Sequence, residues 1–268
     1  RNELNDVTVI FQQVPKTSGG RHFGSRLVFS PEGQLYITVG ERGERDRTQD
    51  FSIHRGQVVR INTDGSIPKD NPFVGRAGYR PETWSVGHRN PQGLYFDNDL
   101  NTLFSTEHGP SGGDEINYLD FNQINDTDIP NYGWPMASYG RHYFDLGDDQ
   151  DSRYKLSPLK KSHSEYGFIE PLKYFDPSVG ISQIIGIPND FYKSDNNNFL
   201  VGTMGNAKKL KEGMISIFLF EYDNEKKIIS SEFIPIMSRV RDMIFVEDKN
   251  FVLMYLETNN SLAILKKK

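Results

Sequence analysis

The sequence contains no cysteine, which excludes disulfides, thiolate nucleophiles and thiolate metal sites. No run of apolar residues is long enough to read as a membrane-spanning helix. Positive charge is not in excess: 31 Lys and Arg stand against 36 Asp and Glu, a net charge of −5, so nucleic acid is not an expected partner. Helix signals are scarce as well. Short apolar runs alternate with clusters of Gly, Pro, Asn and Asp, the signature of an all-β chain. Arg1 rather than Met opens the sequence and no signal-peptide pattern follows, as in a processed chain or a fragment.

What is present is a recurring strand–turn–strand unit. Leu27-Val28-Phe29, the turn Ser30-Pro31-Glu32-Gly33 and Leu35 to Val39 form the first, followed by Gln57 to Ile61. The second runs through Leu94-Tyr95-Phe96, Leu103 to Thr106 and Ile116 to Leu119. The third takes Ile184 to Ile187, Phe199 to Thr203 and Met214 to Tyr222, and the fourth Met243 to Val246, Phe251 to Leu256 and Leu262 to Leu265. Starts fall roughly 60 to 90 residues apart, and units of a few antiparallel strands bury both faces by stacking around an axis. A β-propeller with about four blades, one domain over residues 1–268, is the leading expectation. A β-sandwich with long loops is the alternative, because the spacing is irregular. Asp6 to Gln12 reads as one more strand, and the polar stretch Tyr139 to Glu165 as a long surface excursion.

The stretch Gly87-His88-Arg89-Asn90-Pro91-Gln92-Gly93 gathers polar groups on a rigid turn before a buried strand. Pro91 fixes its own φ and keeps Asn90 extended. Such a cluster at a strand mouth suits ligand recognition; a solvated loop with a structural arginine is the other reading.

An ordered set of motifs carries a resemblance. Gly20 to Phe29, Gly56 to Ile61, Asp64 to Pro68, Asp70 to Phe73, Gly87 to Gly93, Glu107-His108-Gly109-Pro110, Asp114 to Asn117, Asn131 to Pro135 and Arg239 to Asp242 resemble, in order, the soluble quinoprotein glucose/sorbosone (aldose sugar) dehydrogenase family. That resemblance implies a six-bladed propeller binding pyrroloquinoline quinone and calcium, usually in the periplasm. Its implied activity is oxidation of an aldose at the anomeric carbon, with electrons passed to an external acceptor.

By the same resemblance His22 is the catalytic base, with Arg89 beside the quinone. Arg89, Asn90, Gln92, Ser178, Arg239 and Arg241 are implied cofactor contacts. Gly109 and Pro110 match the carbonyl pair that holds the active-site calcium, and Glu115 and Tyr132 a second calcium site. Imidazole suits proton transfer near neutral pH, and paired arginines suit carboxylates. Gly205 stands where the family usually has a lysine, with Lys208 and Lys209 following, and Ser25 where glycine is common. The family's first two repeats have no counterpart, so a further segment or second chain is expected to complete the ring. A catalytically silent binding module and a calcium-dependent lactonase-like hydrolase remain the alternatives.

Overall fold

Each of the four repeats becomes an antiparallel sheet in the computed structural model, which describes residues 3, 5–120, 129–143, 155–192, 194–205, 216–223 and 225–267. The first sheet contains β1 (Gly24–Phe29), β2 (Leu35–Val39), β3 (Gln57–Ile61) and β4 (Thr83–Val86). The second contains β5 (Pro91–Asp97), β6 (Thr102–Glu107), β7 (Asp114–Asp120) and β8 (Lys173–Phe175). The third contains β9 (Ile181–Ile187), β10 (Asn197–Thr203), β11 (Ser216–Tyr222) and β12 (Ile228–Pro235), with the short helix α1 (Asn189–Tyr192) between its first two strands. β13 (Val240–Val246), β14 (Phe251–Leu256) and β15 (Ser261–Lys266) make the last.

Strand order follows chain order in every sheet, through short hairpin turns such as β1–β2 and β5–β6 and through long connections such as β3–β4 and β7–β8. In the first such turn Gly33, at φ 82°, donates its N–H to Ser30 O at 2.9 Å. The leading strands neighbour one another in sequence, β1 against β5, β5 against β9 and β9 against β13. The sheets therefore stand as blades around an axis, and the two-sheet sandwich does not form.

Apolar layers fill the three interfaces between consecutive blades. Phe104, Ile116, Phe199, Phe218 and Phe220 join the second blade to the third; the Phe199 ring lies 4.7 Å from Phe104 and 5.1 Å from Phe220. Leu200, Leu219, Met243 and Met254 join the third to the fourth, and Tyr36, Trp84, Leu94 and Leu103 the first to the second. Buried on both sides, the central strands read as continuous apolar runs rather than alternating ones.

Two expectations are corrected. Asp6 to Gln12 does not form a strand. Ile10 and Phe11 instead pack on the face formed by Leu35, Ile37, Val59 and Ile61, so burial of these side chains substitutes for strand pairing. Tyr139 to Glu165 lies at the surface only in part where it is described: Arg141, Tyr143 and Leu156 are exposed, but other residues are built into the second blade. Ala137 bridges Lys160, while Ser157, Leu159 and His163 are buried, and Tyr139 stacks on Tyr174. Residues 144–154 of that stretch, and Met214 at the start of its expected strand, lie outside the described residues.

One side chain crosses the axis. Arg26 of β1 donates Nε–H to Gln92 O of β5 at 2.6 Å and an Nη2 hydrogen to Arg241 O of β13 at 3.0 Å. Its Nη1 lies 2.9 Å from Asp242 Oδ2. The first and fourth blades are thereby tied directly. Beyond this strut both terminal blades show open apolar faces: Leu27 and Phe29 on β1, Ile244 on β13, Leu262 and Ile264 on β15 are all more than half exposed. Among the described residues no helix is long and apolar enough to cross a membrane.

Candidate active site

The β1–β2 register pairs Gly24 with Val39, and two residues further along it sets His22 opposite Glu41. His22 Nδ1 donates to Glu41 Oε1, which also accepts the Gly43 N–H at 3.0 Å. Glu41 is buried, so this carboxylate orients the imidazole and favours the tautomer that carries its proton on Nδ1, turning Nε2 away from the pair. The backbones here approach closely: a Cβ on Gly40 would lie 1.9 Å from His22 O, so only glycine fits. His22 itself adopts φ 53° and Ser25 φ 73°. The latter is a conformation that glycine takes freely, and serine holds it at a cost.

The turn before β5 is anchored by a buried carboxylate. Glu107 Oε2 accepts the Arg89 N–H at 2.7 Å, while Oε1 accepts from Asn117 Nδ2 at 3.0 Å and lies 3.2 Å from His88 Nδ1. His88 Nε2 meets Ser85 Oγ at 2.8 Å, and the ring is fully buried under Tyr132. His88 is therefore a positioning residue for the turn, fully buried with both ring nitrogens engaged. Arg89 donates from Nη1 to His108 O at 3.0 Å and lies over the Trp134 ring. Its carbonyl accepts the Glu41 N–H at 2.9 Å, linking the two halves of the site.

These elements open onto a cavity of about 580 Å³ lined by His22, Arg89, Gly109, Pro110, Ser178 and Arg239. Asp114 clamps its floor. Oδ1 accepts the Gly109 N–H at 3.1 Å, and Oδ2 accepts those of Gly180 and Ile181 at 2.7 and 3.2 Å. The loop carrying Gly109 and Pro110 is thus held to the strand that follows Ser178. Across the cavity Arg239 and Arg241 share Glu257, each at 2.7 Å. Partial burial pushes the Glu257 carboxyl up, but the hydrogen bonds from Arg241 and Arg239 outweigh it and hold it below its ordinary value. Two guanidiniums against one carboxylate leave a net positive wall. His108, beneath the cavity, donates from Nε2 to Ile181 O at 2.6 Å, and burial pushes its imidazole down, towards the neutral form.

The remaining candidates lie elsewhere. Asn90, Gln92 and Arg241 do not line the cavity. Asn90 Oδ1 accepts from Gln92 Nε2 at 3.1 Å and from the Gly24 N–H at 3.3 Å, which makes them a supporting layer under the His22 turn. Glu115 and Tyr132 line a much smaller void beneath Gly109. Burial, then the neighbouring Glu107, pushes the Glu115 carboxyl well up. The Tyr132 hydroxyl donates to Tyr118 O at 2.6 Å, so any part it takes in holding an ion falls to its carbonyl. Gly205 lines the main cavity and supplies no cation; Lys208 and Lys209 lie outside the described residues.

Do these residues fit the expected groups? Ser178 Oγ and Arg89 Nε are buried without a hydrogen-bond partner and belong to the cavity wall, as polar atoms awaiting a ligand do. Among the described residues the carbonyls of Gly109 and Pro110 accept no backbone hydrogen bond, leaving oxygens of the kind calcium takes. The donor set, guanidiniums on one side and free carbonyl oxygens on the other, fits an anionic ligand and an oxygen-liganded cation. Glu41 and Asp114 were not assigned roles on sequence grounds. Glu41 had a usable signal, since the hairpin register points to it.

The sequence matches the model of the Glucose / Sorbosone dehydrogenase family over residues 1–266. It is 39% identical over 194 residues to aldose sugar dehydrogenase YliI of Escherichia coli, covering 72% of this chain and 47% of that protein. Quinoprotein glucose dehydrogenase B of Acinetobacter calcoaceticus is 35% identical over 138 residues, 44% of this chain and 27% of its own length. The apo structure of the soluble aldose sugar dehydrogenase from Escherichia coli superimposes with a TM-score of 0.78 at 31% identity, over 98% of this chain and 69% of that one. The chain thus spans about half the length, or less, of these two curated relatives. With four blades in the same arrangement and a family match over nearly its whole length, the chain belongs to the glucose/sorbosone dehydrogenase family.

Proposed function

We propose that the chain is part of a quinoprotein aldose dehydrogenase that oxidises a sugar at its anomeric carbon. The observation carrying this reading is the His22–Glu41 pair at the mouth of a cavity whose other walls are Arg89, Arg239, Ser178 and the Gly109–Pro110 carbonyls. When bound, pyrroloquinoline quinone supplies the two-electron oxidant that accepts hydride from the sugar, and calcium a Lewis acid that polarises it. His22 Nε2 takes the proton of the anomeric hydroxyl as the C1=O bond of the lactone forms. Glu41 steadies the imidazolium so produced. Arg89 sets a fixed positive charge where negative charge develops, and Arg239, steadied through the Glu257 carboxylate it shares with Arg241, orients a carboxylate of the cofactor. Glu115 and the Tyr132 carbonyl are the proposed second calcium site. An external acceptor and a periplasmic setting complete the reading.

Titrating the calcium-loaded protein with the quinone in a calorimeter is expected to show stoichiometric binding. No binding at tens of micromolar, equivalent to about 6 kcal/mol, would favour a silent module, a reading that Gly205 in place of the lysine also supports.

The open faces of β1 and of β13–β15 expose apolar side chains, a liability that sheets normally bury. We propose that further blade-forming polypeptide covers both faces, closing the ring. Native mass spectrometry beside a denaturing measurement is expected to find an additional segment associated with the chain. A stable, monodisperse 30.7 kDa species without added peptide would sink this.

A further inference from the structure

Beside His22, on the side away from Ser178 and Arg239, a second pocket of about 250 Å³ adjoins the main cavity. It is smaller than the ~300–1,000 Å³ sites that take drug-sized ligands, so it suits one sugar ring. Its walls include Arg21, Arg45, Arg89, Trp134 and His142. Among the described residues the only carboxylate lining it is Glu41, already committed to His22.

The charge balance is the informative feature. Arg141 is held by both oxygens of Asp176 at 3.0 Å, and Arg239 and Arg241, on the main-cavity side, share the single carboxylate of Glu257. Among the described residues Arg21 and Arg45 make no ion pair. The nearby Glu44 carboxylate is taken by Arg55 at 2.9 Å, with Arg47 at 3.5 Å. Arg45 Nη1 meets His142 Nδ1 at 3.5 Å, a neutral contact that orients the guanidinium without cancelling its charge. Burial, then Arg45 itself, pushes His142 down, so it adds no competing cation. In a chain of net charge −5, Arg21 and Arg45, with Arg89 beside them and no ion pair to any of the three among the described residues, mark an anion subsite at a ring-sized pocket. Trp134 adds a flat apolar wall, and its buried Nε1–H has no acceptor.

We propose that this pocket selects an aldose carrying an anionic substituent on C6, a uronate carboxylate or a phosphate ester. Arg21 and Arg45 grip the anion through guanidinium forks, Trp134 backs the ring, and C1 faces His22. The proposal rests on the dehydrogenase reading for turnover but not for binding, so two measurements separate them.

With quinone and calcium supplied, kcat/KM is compared for glucose, glucuronate and glucose 6-phosphate. At least one anionic sugar is expected to exceed glucose tenfold or more. Arg21→Gln and Arg45→Gln should each cut that ratio about tenfold, a loss of about 1.4 kcal/mol per step, whereas the exposed-charge control Lys227→Gln should leave it unchanged. Which anion wins distinguishes carboxylate from phosphate. In cofactor-free protein, calorimetric titration with glucuronate and glucose 6-phosphate should show salt-sensitive binding that the double variant loses. Equal use of glucose and both anions, or a ratio indifferent to both arginines, overturns the subsite. If no sugar is oxidised but arginine-dependent anion binding persists, the dehydrogenase reading fails and the subsite stands.

Discussion

Replacing His22 by alanine is expected to lower sugar oxidation by on the order of 10²- to 10⁴-fold while quinone affinity is retained. The imidazole at the cavity mouth is oriented by a buried carboxylate through Nδ1, which leaves its other nitrogen to accept a proton. Because His22 sits at φ 53°, alanine adds backbone strain. His22→Asn, whose side chain tolerates the left-handed region, is the folding control and should be equally inactive. Glu41→Gln should fall between these variants and wild type and should shift the pH profile of kcat, since the carboxylate acts through the imidazole. Unchanged turnover in a folded His22 variant would remove the base from the mechanism. His88 would not replace it, being fully buried with Ser85 and Glu107 at its two ring nitrogens.

The second large effect is expected at Arg89. Arg89→Met should lower kcat by about 10²- to 10³-fold, the loss typical when one preorganised donor to developing negative charge is removed. Its guanidinium borders both the main cavity and the second pocket, is fixed by the His108 carbonyl, and keeps its Nε buried and unpartnered. Arg89→Lys should recover only part of the loss, because an ammonium restores charge but not the fork. Thermal melts separate a chemical loss from a folding one. Full activity in the methionine variant would place the electrostatic role on another residue.

Much of the blade architecture was legible because hairpins advertise themselves: Ser30-Pro31-Glu32-Gly33 between two apolar runs has few other readings. The fourth strands were not. β8 is only three residues, β4 only four, and β12 is largely exposed and polar along Ser230, Ser231 and Glu232, so neither length nor pattern marks them. Asp6 to Gln12 shows the reverse error, alternation of apolar residues without a strand to pair with. The main cavity joins residues of all four blades, and only the family resemblance named them in advance. Local reasoning could reach Glu41 through the register of one hairpin. It could not reach Asp114 as a clamp, because its partners at Gly180 and Ile181 lie beyond a long connection.

The strut from Arg26 to Arg241 and Asp242 has a consequence for how the protein is made. Its partners are separated by 215 residues, so no growing chain can form it until the fourth blade has left the ribosome. Synthesis at about 5–20 residues per second leaves the first blade waiting on the order of ten seconds or more with β1 unanchored. Early blades can pair their own hairpins during that interval, but His22 and Arg239 cannot meet. The cavity therefore cannot take shape before the fourth blade is made. A ligand that grips both ends stabilises all four blades together by mass action.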